Sequence, residues 1–268
     1  MVIPKLDREM LRKKFTDGRP FPFVKIDNLL DPEFAKVVAS SYPSFEQAVT
    51  QGRQFLGGNE KKKVQIEDSA LFPEPVKQLS DALASREFLE DISYVTGIAD
   101  LVADEKLVGG GMHITGPGGR LDVHVDFNYM ESEKLYRRLN LLLYLNPVWN
   151  DAWGGDFQFW DPEVKQCCHS YAPVLNRAVI FETSEISFHG VTPISSEAPY
   201  PRLSFAAYYY TASPPKNWTG DVHSTVFKAR PDEKLRGYIL MPAEKIKKNL
   251  VRNARELKRN VKKFLSHS

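Results

Sequence analysis

The sequence of 268 residues predicts a mainly β protein with flanking helices, its core of the jelly-roll kind. Two textures carry that expectation. From about residue 106 to 212, short apolar runs alternate with clusters of Gly, Pro, Asn and Asp, as in an all-β barrel or sandwich. Before 106, and again in the tail, apolar residues recur at spacings of three and four, the period of amphipathic helices.

The elements follow in order. Residues 22–28 read as a short strand. Asp31-Pro32-Glu33 opens a helix, with Asp as N-cap and Pro at the first helical position, and Pro43 stops it after about Ser41. Residues 63–67 read as a strand, and helices are expected over 74–84 and 86–96. Strands are then expected near 107–115, 121–126, 137–146, 156–160, 168–171, 178–182, 188–192 and 202–211, enough for two facing sheets. From Pro242 the chain turns helical, with Ile246, Leu250, Leu257, Val261 and Phe264 on one stripe. That tail carries nine Lys or Arg against two Glu. It suits a helix packed on the core with a solvated basic face, and alternatively a contact with RNA or an anionic membrane.

Length and composition bound the class. One domain is expected over 1–268: helical and strand support over 1–105, the β core over 106–212, and a C-terminal extension over 213–268. Hydrophobic content of 42% and charged content of 26% are those of an ordinary globular chain. A net charge of +2 calls for no specific nucleic-acid partner. The two cysteines, Cys167 and Cys168, are adjacent, which disfavours a disulfide and fits a reducing cytoplasm. Met1 to Phe15 lacks the apolar run of a signal peptide, and no apolar stretch reaches the length of a membrane span.

The chemistry lies in His124-Val125-Asp126. Side chains alternate along a strand, so His124 and Asp126 share a face. With a distant histidine, His189, they can form a two-His, one-carboxylate set that leaves coordination positions open and suits ferrous iron. A lone His-x-Asp is weak, because six histidines and many aspartates make a chance pair common. Its partners strengthen it. Asn140, Leu142 and Tyr144 share one face of their strand; Arg202, Ser204, Ala206 and Tyr208 share another. Facing inward together, these groups would be expensive to bury unpaired. A metal and an anionic ligand would pair them: Arg202 offers a planar fork to a carboxylate, and Ser204 and Tyr144 can each add a hydrogen bond. A core tyrosine or a surface arginine remains the plain alternative for each residue taken singly.

Over residues 115–211 the chain resembles the prolyl 4-hydroxylase-like branch of the Fe(II)/2-oxoglutarate dioxygenases. The resemblance rests on Gly116-Pro117-Gly118-Gly119, His124-Val125-Asp126, Tyr144-Leu145-Asn146, Gly154-Gly155, His189-Gly190-Val191-Thr192-Pro193 and Arg202-Leu203-Ser204. It implies a double-stranded β-helix core, with iron on His124, Asp126 and His189. It also implies 2-oxoglutarate on Arg202, Tyr144 and Ser204, with Asn140 nearby. Dioxygen would be the co-substrate and ascorbate a reductant; 2-oxoglutarate would leave as succinate and CO2 while a substrate C–H bond is hydroxylated. The chain departs from that branch at Thr115, where tyrosine is common, and in a longer connection through Ser195 to Tyr200.

Substrate contacts are expected at His113, Asp122, Asn128, Arg138 and Trp153, with Tyr129 and Trp160 as further mouth residues. Surface turns are the plain reading of most of these positions. The compact chain favours a small polar metabolite or free amino acid as substrate. A protein residue such as proline is the alternative, and a non-oxidative cupin-like metal protein or binding module is the rival of another class.

Overall fold

The structure is a computed structural model, and it describes residues 2–216 and 218–233. The basic helix expected from Pro242 lies outside the described residues. Five helices are described: α1 (Arg8–Asp17), α2 (Pro32–Ser40), α3 (Phe45–Gln51), α4 (Glu74–Ala84) and α5 (Arg86–Thr96). The strands are β1 (Phe23–Asp27), β2 (Arg53–Leu56), β3 (Glu60–Ile66), β4 (Val102–Ala103), β5 (Gly111–Val125), β6 (Tyr129–Met130) and β7 (Leu135–Tyr144). They continue with β8 (Phe157–Trp160), β9 (Cys167–Tyr171), β10 (Arg177–Glu182), β11 (His189–Val191), β12 (Arg202–Thr211) and β13 (Val226–Phe227).

Local chemistry explains the helix boundaries. The Asp31 carboxylate accepts from the backbone of Glu33 and Phe34 at 3.1 and 3.0 Å, capping α2 as its sequence demands. Ser44 and Gln47 form a reciprocal capping box at the start of α3, a helix the apolar pattern alone did not announce. Helix α1 was also unannounced: its sequence is mostly charged, and only Leu11 and Phe15 are buried.

The main sheet is antiparallel, in the order β1-β10-β7-β12-β5-β11-β8-β9. Six strand spacings separate β1 from β8, roughly 29 Å if the sheet were flat. Yet the rings of Phe23 on β1 and Phe159 on β8 stand 4.8 Å apart, so the sheet curls until its two ends face each other. The inside of the curl is apolar at that end, with Phe157, Phe159, Val179, Phe181 and Val191. The outside packs on the helices: Leu139, Leu141, Leu143, Phe205 and Tyr209 join Val38, Leu79, Leu83, Phe88 and Ile92.

The two strands expected at 107–115 and 121–126 are one, the fifteen-residue β5. Strand β3 pairs with both halves, Lys61 opposite Arg120 and Lys63 opposite Thr115, and the register shift between them absorbs Gly116 to Gly119. The extension expected after residue 212 is partly drawn into the sheet. Phe227 of β13 pairs with His124, and the buried Arg230 donates to the carbonyl of Val191 at 3.0 Å. Among the described residues no helix is long and apolar enough to cross a membrane.

Candidate functional site

Strand pairing brings the first two candidates together. His189 of β11 lies directly opposite His124 of β5. Gly190 eases it: a Cβ there would stand 3.1 Å from the Val123 backbone, a tight contact that would push the two strands a few tenths of an ångström apart. The imidazole centroids are 4.3 Å apart. His124 Nε2 lies 3.6 Å from Asp126 Oδ1, and His189 Nε2 lies 3.4 Å from Asp126 Oδ2. One donor atom from each of the three residues falls within 4.8 Å of the others, the only such group of three or more His, Cys, Asp or Glu found among the described residues.

The tautomers suit a metal. Nδ1 of His124 bonds the carbonyl of Asp122 at 2.9 Å, and Nδ1 of His189 bonds the carbonyl of Ser187 at 2.9 Å. A carbonyl can only accept, so each Nδ1 carries the proton and each Nε2 turns its lone pair toward the carboxylate. Burial pushes the His189 imidazole down to about 3, helped by the neighbouring His124 and only partly opposed by Asp126, so it is neutral at ordinary pH. Burial by itself would raise the Asp126 carboxyl, but the Arg137 guanidinium, with the two imidazoles, holds it well below the usual range. Two lone pairs and an anion converge on one point, and adjacent ligands about 2 Å from a shared ion stand about 3 Å apart. The residues present therefore fit a divalent cation.

Beside this triad, the anion end is built by three neighbouring strands. On β12, Ser204 lies opposite Tyr144 of β7 and His113 of β5, while Arg202 lies opposite Thr115. Arg202 is buried, its Nε donating to the Gly155 carbonyl at 2.8 Å and its Nη1 3.5 Å from Ser204 Oγ. A Cβ on Gly155, at φ +76°, would lie 2.9 Å from Trp149 and 3.4 Å from Arg202 Cδ. Among the described residues no carboxylate lies within ion-pair distance of Arg202, and the buried Tyr144 hydroxyl, whose charged neighbour is the Arg202 guanidinium, makes no well-formed hydrogen bond. Burial lowers the Arg202 pKa and raises that of Tyr144. An unpaired guanidinium and an orphan hydroxyl at the end of a cavity fit the far carboxylate of a dicarboxylic acid.

The cavity holding both ends measures about 1110 Å3. It is lined by the metal triad, Arg202, Ser204, Tyr144, Asn140 and His113, and it runs out along the β2–β3 hairpin through Arg53, Phe55 and Lys63. The other expected substrate contacts lie elsewhere. Asp122 is fully buried beside Arg120 at 3.4 Å, and Asn128 donates to Glu185 and to the Asp221 carbonyl. Trp153 packs against Trp149 and Tyr200 on the outer side of Gly155. Neither Tyr129 nor Trp160 is among the lining residues. Arg138 pairs with Glu182 at 3.5 Å and gives its inward place to Arg137. The cause is a bulge: Tyr209 faces Leu139 but Tyr210 faces Arg137, so Arg138 is the extra residue and the alternation shifts by one. Sequence reasoning therefore missed Arg137. It also missed Phe227, whose ring lies 5.2 Å from His124, because β13 reaches the site only through long-range pairing.

Asn140 is almost fully buried and turned toward the metal triad. Its Nδ2 donates to Asp126 Oδ2 at 2.7 Å and its Oδ1 accepts from Arg137 Nε at 2.8 Å. His113 lines the anion end, with Nε2 bonded to the Gly109 carbonyl at 3.1 Å.

Comparison with known proteins accords with this geometry. Residues 110–210 match the family described as the 2OG-Fe(II) oxygenase superfamily. The chain is 37% identical over 81 residues to mouse prolyl 3-hydroxylase OGFOD1, a match covering 29% of this chain and 15% of that relative. Among solved structures it is similar to a Pseudomonas putida prolyl-4-hydroxylase, with TM-score 0.55 and 17% identity over 75% of this chain and 99% of that one. It is also similar to a Trichoplax adhaerens prolyl hydroxylase in complex with a hypoxia-inducible-factor peptide fragment, with TM-score 0.53 and 19% identity over 76% and 90% of the two chains. These structural likenesses show a shared jelly-roll fold.

Proposed function

The stretch 110–210 belongs to the 2OG-Fe(II) oxygenase superfamily, and on that premise we propose that this chain hydroxylates a residue, prolyl first among them, within a polypeptide substrate. The chemistry rests on one observation: a His-Asp-His cluster with both histidines buried and the aspartate half-buried, beside a buried arginine that lacks an anion among the described residues. When bound together, ferrous iron, 2-oxoglutarate and dioxygen supply an oxidant able to hydroxylate an unactivated C–H bond, with succinate and CO2 as co-products.

The residues of this chain have separable tasks. His124, Asp126 and His189 would hold the ion, each imidazole fixed by its Nδ1 bond to a backbone carbonyl. Arg202 would pair with the far carboxylate of 2-oxoglutarate, with Tyr144 and Ser204 donating to it. Burial makes that pairing stronger than it would be in water. Phe157, Leu142 and Val191 line the same cavity with apolar surface.

Cavity size supports the polypeptide reading. About 1110 Å3 exceeds the roughly 300–1,000 Å3 that encloses a drug-sized ligand, and the hairpin side leaves room for an extended chain. The similarity to a prolyl 3-hydroxylase points the same way, although this chain spans only about 15% of that protein's length. The free amino acid or small metabolite expected from the sequence is the competing arm. The test incubates the protein with Fe(II), ascorbate and labelled 2-oxoglutarate and measures succinate in the presence of prolyl peptides, free proline and other amino acids. Stimulation by peptides alone supports the proposal; stimulation by free amino acids alone replaces it with the small-substrate reading. Absence of both Fe(II) binding and succinate would leave the non-oxidative metal protein or binding module.

A further inference from the structure

The Asp126 carboxylate presents both oxygens to the imidazole pair, Oδ1 at 3.6 Å from His124 Nε2 and Oδ2 at 3.4 Å from His189 Nε2. Its two oxygens are treated differently by their surroundings. Oδ2 accepts a 2.7 Å hydrogen bond from Asn140 Nδ2 and lies 3.2 Å from Arg137 Nη2, a charge contact without hydrogen-bond geometry. Among the described residues Oδ1 has no such donor. Asn140 and Arg137 are themselves tied together by the 2.8 Å bond from Arg137 Nε to Asn140 Oδ1. The guanidinium is in turn wedged between rings, 3.6 Å from the Tyr208 centroid and 4.6 Å from that of Phe127. Both residues are almost fully buried, so the charge on Arg137 is little screened.

We propose that Arg137 and Asn140 are positioning residues that clamp Oδ2 of Asp126 and so limit this carboxylate to a single bond, through Oδ1, with the iron. The inference rests on the metal-site reading above. Its consequence is a coordination count. With two imidazoles and one carboxylate oxygen, three of six positions stay open, two for a chelating 2-oxoacid and one for dioxygen. A carboxylate free to chelate through both oxygens would take the last position. The clamp therefore protects the dioxygen position while adding nothing to the grip on 2-oxoglutarate.

The test uses nitric oxide as a dioxygen surrogate on the full chain loaded anaerobically with Fe(II) and 2-oxoglutarate, read by electron paramagnetic resonance. Fe(II) and 2-oxoglutarate affinities are measured separately by titration. Asn140→Leu and Arg137→Gln are expected to lose about tenfold or more in nitric oxide affinity, a loss larger than the drop in Fe(II) affinity that outer-shell changes also bring, while holding 2-oxoglutarate within about threefold of wild type. Arg137→Lys, which keeps the charge, should recover part of the loss. Asn140→Ser leaves the Arg137 stacking undisturbed and carries the test where Arg137→Gln fails to fold by circular dichroism. Unchanged nitric oxide affinity in folded variants overturns the clamp. So does a parallel loss of Fe(II) affinity, which would mean the carboxylate needs these partners to bind at all. Failure of the wild type to take up Fe(II) would instead overturn the function proposed above, and the clamp with it.

Discussion

The two faces of strand β7 bury their side chains for opposite ends. On the outer face Leu139, Leu141 and Leu143 are wholly buried against helices and neighbouring strands, and all three are apolar. On the inner face Arg137, Asn140 and Tyr144 are buried just as deeply, and all three carry polar groups. The outer face gains about 25 cal/mol for each Å2 of apolar surface it removes from water. The inner face buries groups whose partners are incomplete among the described residues: Tyr144 makes no well-formed hydrogen bond, and Arg202 on the adjoining strand lacks an anion. Stability is stored on one side of the strand and binding potential on the other, in side chains one residue apart.

The largest effect should come from removing the inner anion. Asp126→Ala is expected to reduce 2-oxoglutarate turnover by about a thousandfold or more and to abolish Fe(II) binding in equilibrium dialysis, because two imidazoles alone hold the ion weakly. Full turnover in this variant would remove the metal assignment. Next comes the outer face. Leu141→Ala should cost about 2–5 kcal/mol of stability in urea unfolding, as large-to-small core changes do, with turnover per folded molecule retained. A catalytic defect at full occupancy of the folded state would break the division between the faces.

Arg202→Met is the sharper comparison. It should raise the 2-oxoglutarate requirement roughly a hundredfold through loss of a charge-assisted pair, yet leave the stability of the ligand-free protein within about 1 kcal/mol, since relief of a buried cation without an anion offsets the lost bond to the Gly155 carbonyl. A destabilisation as large as that of Leu141→Ala would show that Arg202 is structural. The smallest effect concerns His113. Burial, with Lys63 nearby, holds its imidazole well below the ordinary value of 6.5. Below pH 6.5 the unfolded chain takes up a proton that the folded chain refuses, so stability should fall with pH there and be unaffected above it. His113→Gln should flatten that slope in thermal melts compared between pH 7.5 and pH 5.5; an equal slope in the variant would place the titrating group elsewhere.

What the sequence determined by itself was periodic or local. Alternation put His124 with Asp126 and Arg202 with Ser204 on shared faces, because the pleat of a strand is indifferent to what surrounds it. Caps such as Asp31 marked α2 because they act within a few residues. Helices α4 and α5 were legible from apolar residues recurring at spacings of three and four, which is again a local pattern. Tertiary structure decided what depended on partners distant in the chain. One bulge against β12 turned Arg137 inward in place of Arg138, and a strict count of alternate residues has no means to see it. The placement of Phe227 beside His124 and the fusion of two expected strands into β5 were settled by β13 and β3, whose pairing depends on the whole folded sheet. The identity of the ligand-bearing side chains was written in short-range geometry; the walls of the cavity around them were set by register, which is a property of pairs of strands.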